Sequence, residues 1–178
     1  MAKLVVFTGY PTCGKSTLSR FLDQDLGFIR LSGDEISEEL FGHTHPYADN
    51  EDPEEIWKTI YRRRDRLLAK GRDVVIDTTA YDEQRRSGLF AASAQTEKYL
   101  VWLQVSPETM ARRAKGREWT ADDMELWKAQ VGWEDPQEGP CLPQQTKPQE
   151  GGYHLLVYAN DVPDDLERIK SDLRKQFT

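Results

Sequence analysis

The run Gly9-Tyr10-Pro11-Thr12-Cys13-Gly14-Lys15-Ser16 leaves this chain the fewest choices of fold. It matches the pattern G-x-x-x-x-G-K-[ST], which works in one setting, between a buried strand and the start of a helix. Both flanks are present. Lys3 to Thr8 is a compact apolar run, too short for a free-standing helix, and reads as a buried strand. A helix is expected from Lys15 to about Gln24. Glycines let the backbone wrap so that successive N–H groups point inward, and the helix N-terminus adds partial positive charge. Such a cavity suits phosphates. Gly9, Thr12, Cys13, Gly14, Lys15, Ser16 and Thr17 are then the nucleotide-binding set. Lys15 is placed to reach the β- and γ-phosphates of ATP, and Ser16 to ligate the Mg²⁺ that bridges them.

Beyond this loop the chain alternates strand and helix. Strands are expected at Phe28 to Leu31, around Val74 to Ile76, at Tyr99 to Val105 and at Tyr153 to Tyr158. Helical spacing covers Pro53 to Lys70, stopped by Gly71, then Pro107 to about Lys115, Ala121 to Val131, and Pro163 to Lys175. Glu35 to Leu40 is a further helical run. Alternation of this kind gives an α/β fold, one parallel sheet covered by helices on both faces. Two stretches read as irregular, Gly42 to Asp52 and Glu134 to Gly152, and neither is long enough to link two domains. The 178 residues are expected to form a single domain, 1–178.

Composition bounds the partners. The formal charge is −7, with 24 basic against 31 acidic residues, which opposes a general coat for nucleic acid. Half of the basic residues nevertheless fall in three clusters: Arg62 to Arg72, Arg85 with Arg86, and Arg112 to Arg117. No apolar run approaches a membrane span, and Met1 to Gly9 lacks the length of a signal peptide, so the cytoplasm is the expected compartment. Two cysteines, Cys13 and Cys141, make neither a disulfide ladder nor a metal spacing.

Two carboxylates end strands where a parallel sheet faces its ligands. Asp34 follows the second strand and can accept a proton from an acceptor hydroxyl as it attacks the γ-phosphate; the alternative is a helix cap. Asp77 closes Val74-Val75-Ile76-Asp77, the arrangement of a Walker B carboxylate bound to Mg²⁺; the alternative is a cap on the Thr78-Thr79 turn. Met110 to Arg117 offers guanidinium groups to the charge of phosphoryl transfer, as part of a lid around 112–133, or else forms a solvated helix end.

With these residues in place the chain resembles the P-loop kinases related to polynucleotide 5′-kinase, seryl-tRNA kinase and the zeta-toxin-like sugar-nucleotide kinases. The phosphate loop, Gly27-Phe28 to Asp34-Glu35, Asp77-Thr78-Thr79 with Arg85-Arg86, and Arg113 to Arg117 carry the resemblance. It implies a three-layer sandwich with strand order 2-3-1-4-5. It also implies Asp34 as general base, Arg113 and Arg117 as lid arginines, and Asp77 with Arg86 arranging acceptor or metal. Ser37 stands where polynucleotide kinases carry an arginine for the acceptor phosphate, and Thr79 where they carry asparagine. A nucleic-acid 5′ end is thereby a weaker expectation for the acceptor than a small-molecule hydroxyl. Two alternatives stay open: a nucleotide-binding regulatory NTPase without an acceptor, and a toxin-type or antibiotic-modifying sugar kinase.

Helical geometry sorts the arginine-rich run. With Ile56 at zero and about 100° per residue, Trp57, Ile60, Tyr61, Leu67 and Leu68 fall within roughly 140°, and Arg62, Arg63, Arg66 and Lys70 fall opposite. Arg64 lies inside the apolar arc, where an unpaired charge is costly. It needs an anion, a structural carboxylate or the acceptor's phosphate. Trp57 and Trp102 read as core, His43 and His45 as a surface loop, and Trp119, Trp127 and Trp133 near the lid are left open. The Cys13 thiol, beside Lys15 and a helix N-terminus, is expected to react with alkylators and to be protected by Mg²⁺-ATP; a small packing residue is the alternative.

Overall fold

The computed structural model describes residues 1–9, 12–44, 52, 54–80, 83–92, 95–115 and 152–178. The expected helix Ala121 to Val131, Arg117, Cys141, three of the tryptophans and most of the two irregular stretches lie outside them. In chain order the elements are β1 (Lys3–Thr8), α1 (Lys15–Leu26), β2 (Ile29–Ser32), α2 (Gly33–Phe41), α3 (Glu54–Leu68), β3 (Val74–Asp77), α4 (Glu83–Phe90), β4 (Glu97–Gln104), α5 (Pro107–Lys115), β5 (His154–Ala159) and α6 (Pro163–Phe177).

All five strands are parallel, in the order β2-β3-β1-β4-β5. β1 is central, so both of its faces are buried, and its residues alternate between two cores. Val5 and Phe7 join Leu18, Phe21 and Leu22 of α1 and Ile169, Leu173 and Phe177 of α6 on one side. Leu4 and Val6 join Ile36 of α2, Ile56 and Ile60 of α3, and Leu89 and Phe90 of α4 on the other. The result is the three-layer sandwich. The α6 terminus is tied in by Phe177, whose ring meets Phe28 and Tyr99 edge-on at 5.4 and 5.0 Å. None of the described helices is long and apolar enough to cross a membrane.

Local chemistry explains where the boundaries differ from expectation. Gly27, at φ 75°, ends α1, and the Phe28 amide bonds back to the Leu22 carbonyl at 3.1 Å. Phe28 therefore belongs to the helix stop, and β2 starts one residue later. The Ser32 hydroxyl caps α2 by accepting from the Glu35 amide, so that helix begins at Gly33 and not after Asp34. Asp52 accepts from the Glu54 amide at 2.9 Å and starts α3. α4 has no counterpart in the sequence reading, because Arg85, Arg86 and Gly88 blur its apolar stripe.

Candidate phosphate-binding site

A parallel sheet gathers the carboxyl ends of its strands at one edge. There, Gly9, Thr12, Cys13 and Gly14 lie between the end of β1 and the start of α1. Gly9 adopts φ 144°, and a Cβ on it would lie 2.6 Å from the Leu103 carbonyl oxygen of β4. Gly14 adopts φ 102°, and its Cβ would lie 2.6 Å from Asn160 Nδ2. Conformation requires both glycines, and close approach does too, of the Leu103 backbone at Gly9 and of the Asn160 side chain at Gly14. No side chain caps the N-terminus of α1, and its first turn carries no acid. Its amides and dipole are available to an anion. The Lys15 ammonium, nearly buried, lies across the loop and donates to the Gly9 carbonyl at 2.8 Å.

Two residues from distant parts of the chain hold the loop in shape. Asn160, directly after β5, donates through Nδ2 to the Cys13 carbonyl at 2.8 Å. Arg113 of α5 donates to the Thr12 carbonyl at 3.2 Å and to the Asn160 carbonyl at 2.8 Å. Arg113, expected in a lid, therefore already touches the loop, through backbone oxygens. The Cys13 backbone belongs to the loop, but its side chain is fully buried among Phe7, Leu18 and Leu103. That burial opposes the expectation of a reactive thiol: the sulfur packs into the core, with the Lys15 ammonium 3.7 Å from it.

Asp77, the last residue of β3, is buried and turned toward α1 and β2 rather than over Thr78-Thr79. Its Oδ1 lies 3.3 Å from Ser16 Oγ. Its Oδ2 accepts from Ser19 Oγ at 2.9 Å, and from Arg30 Nε and Nη2 at 3.2 and 2.6 Å. The remaining Arg30 nitrogen pairs with Glu35. Burial opposes the charge on Arg30, yet hydrogen bonds to Asp77 and Glu35 outweigh it and hold the guanidinium above its ordinary range. A hydroxyl and a carboxylate oxygen side by side fit the preference of Mg²⁺ for oxygen ligands. Among the described residues no three His, Cys, Asp or Glu side chains converge as a metal cluster. Such a cation would complete its shell from phosphate and water.

Ser32 and Asp77 are paired across β2 and β3, and Asp34 stands two residues beyond Ser32, at the same edge. Because Ser32 is the cap, Asp34 is not occupied by capping. It is exposed, and among the described residues no hydrogen bond or ion pair engages it.

The other two arginines expected at the acceptor are committed elsewhere. Arg64 is buried and donates to the Gly88 and Leu89 carbonyls at 2.7 Å each, and to Asp65 at 2.8 Å. It ties the end of α4 to α3 through these two carbonyls, with Asp65 as its carboxylate partner. Arg86 is fully buried and donates to the Ala80 carbonyl and to Glu83. That same carbonyl accepts from the Thr8 hydroxyl at 2.9 Å. Arg86 therefore braces the turn after Asp77 from inside.

Arg30, Ser19 and Asn160 were not singled out in the sequence. Ser19 carried a signal, since it lies one helical turn beyond Ser16.

Comparisons with known proteins bear on this site. The model of the AAA domain family matches residues 4–134. The shikimate kinase of Moorella thermoacetica is 30% identical over 110 residues, 62% of each chain, so the match spans less than two thirds of that relative. Among solved structures, a protein assigned as a kinase from Chloroflexus aurantiacus superposes with a TM-score of 0.69 at 21% identity, covering 98% of this chain and 95% of its own. A sugar kinase from Janibacter sp. HTCC2649 superposes with a TM-score of 0.63 at 18% identity, with coverage of 98% and 95%.

Proposed function

We propose that this chain, which belongs to the AAA domain family and has the fold of the P-loop kinases, is an ATP-dependent phosphotransferase whose acceptor is the hydroxyl of a small molecule. One observation carries the reading. Asp34 stands exposed at the carboxyl edge of the sheet, engaged by no hydrogen bond or ion pair among the described residues, beside a phosphate loop whose serine faces a strand-end carboxylate. A regulatory NTPase has no use for such a base. Similarity to a shikimate kinase and a negative overall charge favour a small acceptor over a nucleic-acid end.

In this reading the amides of the loop and of α1 hold the phosphates of ATP, and Lys15 leaves the Gly9 carbonyl to meet them. Ser16 and Asp77 would hold Mg²⁺, which when bound would supply positive charge against the phosphates. Asp34 takes the proton of the attacking hydroxyl. Arg113 approaches the phosphate charge from the Thr12 side, with Arg117 as its companion from beyond the described residues. The activity is tested by following γ-phosphate from labelled ATP onto sugars, polyhydroxy acids, nucleosides, aminoglycosides and oligonucleotide ends. For the acceptor found, Asp34→Asn is expected to keep ATP affinity and to lower kcat by about 10²-fold or more. Lys15→Ala is expected to abolish transfer. Transfer to oligonucleotide ends alone would overturn the small-molecule reading, and turnover by Lys15→Ala within a few-fold of the wild type would overturn the phosphate loop itself.

A further inference from the structure

Arg30 is a charged residue on a short strand, and its side chain is only 8% exposed. Its guanidinium spans three elements: Ser19 on α1, Asp77 on β3 and Glu35 on α2. The contact with Asp77 is the closest that this carboxylate makes, and two of the three Arg30 nitrogens are spent on it. The carboxylate that should attract a cation is therefore already matched by a positive charge, inside the protein, at 2.6 Å. A guanidinium does not lose its proton in a protein, so the compensation is permanent. Glu35 offsets it only in part, since that side chain is 59% exposed and screened by water. Only Asp77 Oδ1, beside Ser16, is left facing the loop.

The geometry points to Arg30 as the counter-ion of the metal site: it keeps Asp77 from collecting a divalent cation before nucleotide arrives, so that metal and nucleotide enter together. This rests on the phosphotransferase reading for the identity of the site, and adds an order of binding to it. A lone carboxylate shared with an arginine is a poor site for Mg²⁺, which gives up water reluctantly and seeks several anionic oxygens. The nucleotide's phosphates supply the negative charge that Arg30 has removed. Arg30 is on this account a positioning and charge-setting residue, reaching the reaction through Asp77.

A purely architectural arginine and a counter-ion make opposite forecasts for its removal. Losing an architectural brace disorders Asp77 and weakens metal binding. Losing a counter-ion leaves an uncompensated carboxylate and strengthens it, even as turnover falls. The experiment is Mn²⁺ binding to the nucleotide-free full chain, read by the electron paramagnetic resonance of free Mn²⁺. The wild type is expected to bind with a Kd above about 1 mM, as one compensated carboxylate should. Arg30→Met and Arg30→Gln are expected to tighten Mn²⁺ by roughly tenfold or more, because a unit charge a few ångströms away is lost. Arg30→Lys, which keeps the charge, should stay within about threefold of the wild type.

Wild-type binding at tens of micromolar, on the order of a dedicated multi-carboxylate site, would overturn the inference without any variant. So would Met and Gln variants that bind no more tightly than wild type. If the Met variant does not fold by circular dichroism, Gln, which retains amide donors, and the wild-type measurement decide between them. Failure of the wild type to phosphorylate any hydroxyl defeats the acceptor reading and leaves the Mn²⁺ result standing. Normal transfer with unchanged Mn²⁺ affinity in both neutral variants defeats the counter-ion alone.

Discussion

Thr12→Gly is expected to make the folded chain more stable, against the usual effect of placing glycine at a buried position. Thr12 adopts φ 66°, where the Cβ of an L-residue crowds the following carbonyl at a cost of about 1–2 kcal/mol, and a β-branched residue suits that region worst. Its hydroxyl is also buried without a hydrogen-bond partner among the described residues, a desolvation cost of about 1–3 kcal/mol. Glycine removes both. Against this stand about 0.4–1 kcal/mol of added chain entropy in the unfolded state and about 0.8 kcal/mol for the lost methyl. The carbonyl that accepts from Arg113 is kept. The central values leave about 2 kcal/mol of stabilisation, which for a chain of this size raises Tm by about 4–8 °C. Urea and thermal unfolding of the nucleotide-free protein, followed by circular dichroism, measure it. Thr12→Val separates the causes, since it keeps the shape and the positive φ and removes only the hydroxyl; about half the gain is expected. A Thr12→Gly protein no more stable than wild type refutes the strain argument, and a Thr12→Val protein less stable than wild type shows that the hydroxyl has a partner.

Arg64→Met is expected to cost roughly 2–4 kcal/mol, since it orphans the Gly88 and Leu89 carbonyls, while the acceptor KM of the folded protein stays unchanged. A KM raised about tenfold or more at undiminished stability would return Arg64 to the acceptor site. Cys13 should resist alkylation in the native protein with or without Mg²⁺-ATP and label only on unfolding, as peptide mass mapping will read; labelling that nucleotide suppresses would contradict its burial. The Ser106 backbone amide, against some opposition from burial, holds the Asp161 carboxyl below its ordinary value of 3.8. Its folded pKa is therefore the lower one, and the stability it adds is full above about pH 4 and fades as the pH falls through the folded value. Asp161→Asn should accordingly lower the urea midpoint at pH 7 and converge on the wild type as the pH falls below the folded value; a difference independent of pH would refute the assignment.

What the sequence disclosed was what neighbouring residues decide. The β1, loop and α1 unit is legible because glycine spacing, apolar run and lysine all fall within fourteen residues, Lys3 to Ser16. Asp77 is legible because it closes a short apolar run. Asp34 was placed at the right strand end, but Ser32, two residues earlier, won the competition to cap α2. Arg64 was placed on the apolar side of its helix, and only tertiary structure could supply the α4 carbonyls that satisfy it. Arg30 escaped because its partners, Ser19, Glu35 and Asp77, lie on three other elements, the last of them 47 residues away. Asn160 escaped for the same reason, being 147 residues from the carbonyl it holds.

The position of β1 in the sheet sets the order in which the molecule can be made. This strand is made before its hydrogen-bonded neighbours β3 and β4, so during synthesis it must wait for about a hundred residues before both edges are covered. The loop that follows waits longer still, because Gly9 rests against Leu103 and the Cys13 carbonyl against Asn160. Pairings this far apart in the chain are slow to close. A nascent chain that ends before β5 carries the entire phosphate motif and none of the amide that fixes its carbonyl. Nucleotide retention is consequently a report on synthesis through Asn160, long after the motif itself has been made.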